Sequence, residues 1–177
     1  TPDAERIFGE TVRLYSSTNQ KEADKAAFLL AELEYYRGAI DSAQEHYALL
    51  AARTDADASN DALERITLIE QNKTSLDTLR KFAAAEFKER QKKYDEAIAQ
   101  YQKVIEIAPE SDLAEQSLLR CAQINFTRKS HEAGREFITK LLTKYPDSIY
   151  GDRAMLDLGN SYAADGNKDL AIQTFTD

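Results

Sequence analysis

With 177 residues, 31 acidic against 23 basic side chains and a formal charge of −8, the chain has the length of one ordinary domain or one short repeat array. Its acidity argues against nucleic acid or an anionic membrane as main partner, because each phosphate contact needs a Lys or Arg to release counterions. Six Gly, three Pro and one Cys are too few breakers for an all-β fold and exclude a disulfide framework or a cysteine-based zinc site.

Helical periodicity runs from end to end. The first helix is expected near 3–15 and carries Ala4 and Phe8. The second, near 22–37, places Ala27, Leu30, Ala31 and Glu34 on one face and stops at Gly38, a residue that readily takes the left-handed conformation ending a helix. A third, near 39–53, holds Ala43 and Tyr47. The next, near 59–71, has Ala62, Leu63, Ile66 and Ile69 as its apolar stripe, with Ser59 or Asn60 available as cap. Helices follow near 75–91 and near 94–107, the latter with Ala97 and Tyr101 and ended by Pro109. The seventh, near 112–127, carries Leu118, Cys121 and Ala122, and the eighth, near 131–144, Ala133 and Phe137. Pro146 then stops the chain, and Asp147 or Ser148 is placed to cap a helix near 149–164 bearing Met155, Leu158, Gly159 and Tyr162 up to Gly166. A tenth, near 168–177, holds Ala171 and Phe175. The first helix reads as the second half of a repeat and the last as unfinished. No apolar run approaches the roughly 18 residues of a membrane span, and no basic-then-apolar leader follows Thr1.

One pattern recurs through these helices, a small residue with an aromatic four positions on: Ala4 with Phe8, Ala43 with Tyr47, Ala97 with Tyr101, Ala133 with Phe137, Ala171 with Phe175. The Ala positions are 39, 54, 36 and 38 residues apart, which suits a helix-turn-helix unit. Positions i and i+4 share a helix face, so the Ala admits a neighbouring helix and the aromatic fills the space beyond it. The long spacing leaves room for one more short helix, assigned to 59–72, at the border of two sub-arrays within a single array over 1–177. Charge changes there too: residues 1–72 hold 7 basic against 14 acidic side chains, net −7, and residues 73–177 hold 16 against 17, net −1.

Small residues midway along first helices (Ala31, Ala122, Gly159), Gly at turns (Gly38, Gly166), then Ala and an aromatic on second helices, resemble the tetratricopeptide repeat family. Lys92 and Arg128 stand near where the other turns carry glycine. The segment Lys144-Tyr145-Pro146-Asp147-Ser148, followed by Ala154 and Leu158-Gly159, is similar to repeats of bacterial cell-envelope proteins such as the outer-membrane β-barrel assembly lipoprotein and the Tol-Pal coordinator. The resemblance implies an all-α, right-handed superhelical solenoid of antiparallel helix pairs, whose first helices line a concave groove. Carried over by position, it puts Phe28, Glu32 and Tyr35 on the groove in the first complete repeat, Gln116, Leu119 and Gln123 in the third, and Arg153, Leu156 and Asn160 in the fourth. The phase of the repeat near 75–91 is ambiguous. Tyr36 joins Phe28, Glu32 and Tyr35 as a candidate contact cluster within the half that carries −7; packing of Tyr35 and Tyr36 against adjacent helices is the open alternative. Chaperone-tail-binding members of the family hold a terminal carboxylate with Lys and Asn, whereas Phe28 and Glu32 stand at the first two such positions, which disfavours that role.

No catalytic constellation emerges. Asp55-Ala56-Asp57-Ala58-Ser59-Asn60-Asp61 looks like a calcium loop, but Asn60 replaces the turn glycine and Ile66 stands where a bidentate Glu is required. His46 and His131 have no partner at ligand spacing, and Cys121 lies in an apolar helix face where a thiol behaves as a small hydrophobe. There is no Gly-x-Ser-x-Gly elbow and no glycine-rich phosphate loop. Lys92-Lys93 and Arg128-Lys129 sit at turns, where cations complement the negative helix end. The reading is a non-enzymatic scaffold without cofactor or metal, binding a protein or peptide, basic in character where it meets the N-terminal half, with no nucleic acid. A bacterial envelope assembly is the favoured setting, with periplasm or outer membrane ahead of cytoplasm. The alternative is a recruiting or regulatory arm of a larger enzyme or sensor chain.

Overall fold

The computed structural model describes residues 2–15, 18–53 and 58–176, the side chains of residues 2, 4 and 15 excepted. All regular structure among them is helical. The helices are α1 (Pro2–Tyr15), α2 (Gln20–Tyr36), α3 (Ile40–Ala51), α4 (Ala58–Gln71), α5 (Leu76–Arg90), α6 (Tyr94–Ile107), α7 (Asp112–Thr127), α8 (His131–Lys144), α9 (Gly151–Ala164) and α10 (Lys168–Thr176). The chain forms two compact units, 1–84 and 85–177, dividing inside α5. In the first, α1 packs on α2, α2 on α3 and α3 on α4, with α4 reaching back to α2. In the second, α6 to α10 pack in sequence and α9 also touches α7. Pairing is antiparallel: Asp24 early in α2 meets Arg53 beyond the end of α3, while Glu32 and Glu34 late in α2 meet Tyr47 and His46. The result is an all-α helical-repeat fold of solenoid type.

Four helix-ending turns carry the repeat. Gly38, Lys92, Lys129 and Gly166 have φ of 79°, 59°, 61° and 80°. In each turn that residue donates its N–H three residues back, as Lys92 does to the Glu89 carbonyl at 2.8 Å. The next residue donates five back, as Lys93 does to Lys88 at 3.0 Å. This satisfies the last carbonyls of α2, α5, α7 and α9 and hands the chain to the next helix. Glycine takes this conformation freely; lysine takes it at about 1–2 kcal/mol, of which a cation at a helix end recovers roughly 0.3–1 kcal/mol.

Counting from these residues fixes the phase of every repeat, including the one near 75–91. Seven residues earlier stand Ala31, Ala85, Ala122 and Gly159, all buried; five residues later stand Ala43, Ala97, Gly134 and Ala171, also buried. The turns lie 54, 37 and 37 residues apart. One expectation is made exact and one is corrected. The left-handed residue of the third turn is Lys129, one beyond Arg128. The small residue of α8 is Gly134, with Ile138 four positions on fully buried, while Ala133 and Phe137 are half-buried. The reason is contact: a Cβ on Gly134 would stand 2.3 Å from the Phe126 ring of α7.

Ser111 caps α7 by accepting the Ala114 N–H at 3.2 Å. Two other caps fall elsewhere than expected. Ser59 lies inside α4 and donates to the Ala51 carbonyl at 3.3 Å. Ser148 accepts the Tyr150 N–H at 3.2 Å, and α9 starts only at Gly151. In the second unit the core gathers Leu118, Leu119 and Ala122 of α7, Ile138 and Leu141 of α8 and Ala154 of α9.

Candidate functional site

The residues expected to form a contact cluster in the first unit are brought together, but around an internal charge. Glu32 of α2 is only 3% exposed. Its carboxylate accepts hydroxyl hydrogens from Tyr36 and Tyr47, both at 2.6 Å, and the Arg65 guanidinium of α4 donates to it from Nε at 2.7 Å and from the terminal nitrogen at 3.1 Å. Arg65 lies over the Tyr35 ring, 4.6 Å from its centroid, and 5.9 Å from that of Tyr36. Burial alone would raise the carboxyl pKa of Glu32, yet the Arg65 hydrogen bonds and charge, with the two tyrosine hydroxyls, hold it below its ordinary value. The same burial, with the Glu32 charge, pushes the Tyr47 phenol up. Tyr35 is fully buried, and Phe28 and Tyr36 are half-buried, Phe28 against Tyr47 with ring centroids 5.7 Å apart. Glu32 and Tyr35 are thus turned inward: a buried carboxylate needs compensating donors, and Tyr36 of α2, Tyr47 of α3 and Arg65 of α4 supply them.

The second unit repeats the device. Tyr101 of α6 donates to Glu89 of α5 at 2.8 Å, and Arg120 of α7 lies 3.2 Å from the same carboxylate. Burial foremost, then Glu89 and Glu86, push the Tyr101 phenol up. Arg65 and Arg120 are the residues that sequence reasoning missed. The signal that could have pointed to them is the recurrence of Tyr at 47 and 101, each nine residues after a left-handed turn residue: a buried phenol needs an acceptor, and a buried acceptor carboxylate needs a cation.

The third and fourth repeats place their expected residues differently. Leu119 is 6% exposed and belongs to the α7–α8–α9 core. Gln116 and Gln123 are half-buried, and Arg153, Leu156 and Asn160 are exposed, Leu156 at 47%. Asp157 of α9 ties two of them together, accepting from Gln123 Nε2 at 2.9 Å and from Arg153, whose Nε lies 3.2 Å from Oδ1. The face of α7 and α9 is thus a polar, braced surface with an apolar side chain standing out of it.

Both histidines pair with acids, His46 with Glu34 at 2.6 Å and His131 with Asp165 at 2.5 Å. Cys121 is buried, and burial followed by the nearby Glu89 charge pushes its thiol up to about 12, the behaviour of a core hydrophobe. Among the described residues no group of three or more His, Cys, Asp or Glu is placed to hold a metal ion; Asp55 and Asp57 of the calcium-like segment lie outside them. No helix among the described residues is long and apolar enough to cross a membrane.

A fold of stacked helix pairs with a braced surface on its first helices defines a helical-repeat interaction module. Comparison with known families is consistent with this: the family described as Tetratricopeptide repeat matches residues 81–111 and again 153–177. These two segments support a tetratricopeptide-repeat reading and the protein-protein interaction role that such repeats serve. No curated protein and no solved structure matches the chain.

Proposed function

We propose that this chain is a non-enzymatic scaffold that binds another protein through the face of α7 and α9. The observation that carries the proposal is Leu156, an apolar side chain 47% exposed on α9 between the exposed Arg153 and Asn160 of the same helix face, next to Asp157, which holds Gln123 of α7. Exposed apolar anchors within a polar rim are what binding surfaces offer. The corresponding surface of the first unit is filled by Arg65. Its acidic surplus, net −7 over residues 1–72, supports a basic partner for the solvated faces of that unit. Helix α4 is read as the additional helix between two sub-arrays. The stretch Tyr145-Pro146-Asp147-Ser148 supports a bacterial envelope assembly, and a recruiting arm of a larger enzyme or sensor is the second reading.

A photo-crosslinking residue at Leu156 or Asn160 tests the face, with Leu49 on α3, 68% exposed, as control. Discrete adducts from positions 156 and 160 and none from position 49 are expected, and the compartment of the captured protein decides between the two readings. Equal adducts from all three, or adducts from position 49 alone, would refute the α7–α9 face.

A further inference from the structure

Of the four left-handed turns among the described residues, two carry lysine where the other two carry glycine, and both lysines belong to the second unit. Lys92 and Lys129 hold equivalent places one repeat apart, both exposed, each beside a second exposed cation, Lys93 and Arg128. Glycine would take this backbone freely, and the helix-end dipole returns less than the conformation takes from a lysine. Folding alone does not account for lysine at both turns, and strain kept at an exposed position points to use of the side chain.

Contacts between neighbouring turns join them into one edge. Arg128 donates to Asp95 at the start of α6 at 2.5 Å, and with Lys92, Lys93 and Glu96 it borders a shallow hollow. Lys129 and Glu132 border a second, closed by Asp165, which pairs with His131 at 2.5 Å and Arg135 at 2.6 Å. The acids along this edge are largely engaged: Asp95 by Arg128, Glu96 by Lys88 at 2.6 Å, Asp165 by His131 and Arg135. Lys92, Lys93 and Lys129 form no ion pair among the described residues; Lys93 stands close enough to Glu96 for its charge to act on that carboxylate, and Glu132 is the acid beside Lys129. The matching turn of the first unit lacks such an edge, having Gly38 at the left-handed position and Arg37 paired with Glu5.

We propose that the edge formed by the turns at 91–93 and 128–130 is a docking strip for an acidic segment of a partner protein. Carboxylates of that segment pair with Lys92 and Lys93 on one turn and with Lys129 on the next. A short acidic peptide covers only these two turns, whereas a nucleic acid or anionic bilayer would extend its charge over the surrounding acidic surface and be repelled. The strip is separate from the α7–α9 face and does not rest on it.

The test is binding of a short labelled peptide rich in Asp and Glu, followed by fluorescence anisotropy at low and raised salt, with thermal melting of each variant. The wild-type chain is expected to bind with an affinity that salt weakens. The double variant Lys92→Gly with Lys129→Gly should lose at least about tenfold in affinity while its melting temperature stays equal or rises, because glycine relieves both turns. Lys92→Arg with Lys129→Arg should retain binding, and Leu156→Ala should leave it unchanged. Undiminished binding by the glycine double variant, no binding by the wild type at low salt, or binding confined to duplex DNA or phosphatidylserine vesicles would overturn the strip. Loss in Leu156→Ala alone would transfer the peptide to the α7–α9 face and equally overturn it.

Discussion

The Tyr47 hydroxyl donates to the Glu32 carboxylate at 2.6 Å inside the first unit, with both side chains buried. In the second unit the buried Tyr101 donates in the same way to Glu89, whose side chain is partly exposed. In each case an arginine from a following helix completes the group. Ile138 and Phe175 hold the tyrosine's place in the last two repeats; having no hydroxyl, they need no acceptor, and the device ends there.

Removing Arg65 should therefore be far more damaging than its position on a helix surface implies. Arg65→Met leaves Glu32 buried without its cation and is expected to cost about 3–5 kcal/mol. Tyr47→Phe should cost about 1.5–3 kcal/mol, the worth of a hydrogen bond to a charged group. Urea denaturation at neutral pH measures both. The pKa of Glu32 is lowered from an ordinary value of 4.5, so its contribution is fully present above that value and is lost as pH falls through the lower folded value. Stability measured down an acid series should decline there, and Glu32→Gln should flatten the decline.

The helices were readable because their apolar positions recur at helical spacing and because Gly38, Pro109, Pro146 and Gly166 punctuate them. Three of the five small-aromatic pairs lead directly to buried alanines, Ala43, Ala97 and Ala171. At Ala133-Gly134 two small residues stand side by side, and the nearby Phe137 favoured the wrong one, since only contact with Phe126 tells them apart. Lys92 was placed by the repeat spacing, but Lys129 was not told apart from its neighbour Arg128, because a left-handed lysine carries no signal in its residue type. The Glu32–Arg65 pair joins residues 33 positions apart, a tertiary relation that no local periodicity encodes, and within the expected contact cluster Glu32 and Tyr35 are buried while Phe28 and Tyr36 stay half-buried.

Gly134 and Gly159 should respond differently to an added methyl group, although each would place a Cβ 2.3 Å from a phenylalanine ring. Helix propensity favours Ala over Gly by roughly 0.5–1 kcal/mol at both sites. Phe126 is packed against the α7–α8–α9 core, so Gly134→Ala should be net destabilising by about 1–2 kcal/mol through overpacking. Phe175 is 52% exposed and can swing aside, which leaves Gly159→Ala near neutral. Thermal melts of the two variants check the order.

Exchanging residues between turns should shift stability in opposite directions. Lys92→Gly is expected to raise stability by up to about 1 kcal/mol, and Gly38→Ala to lower it by about 1–2 kcal/mol. At Gly38 a Cβ would also approach Arg80 Cγ to 3.2 Å. Denaturation midpoints of the two single variants decide this, and a gain from Gly38→Ala would contradict the left-handed turn.

Cys121 should resist alkylation in the folded chain. With its thiol pushed up to about 12 and its side chain buried, little thiolate exists near pH 8 and none is reachable. Iodoacetamide should leave the native protein unmodified and label it fully in urea. Rapid labelling of the native chain would show that the α7 face opens.

The final prediction separates contact residues from core on the two candidate surfaces. Tyr35 is fully buried beneath the Arg65 guanidinium, so Tyr35→Ala should cost about 3–5 kcal/mol through cavity formation and loss of the ring beneath the cation. Leu156 is about half exposed, so Leu156→Ala should leave stability within about 0.5 kcal/mol of the wild type. Circular dichroism during urea denaturation gives both numbers. A double change of Phe28 and Tyr35 to Ala that abolished partner capture would thus report unfolding of the first unit, visible as a lowered midpoint. Capture lost in Leu156→Ala at an unchanged midpoint would report contact. A Tyr35→Ala chain as stable as the wild type would show that the α2–α4 cluster is open to solvent and restore it as a binding surface.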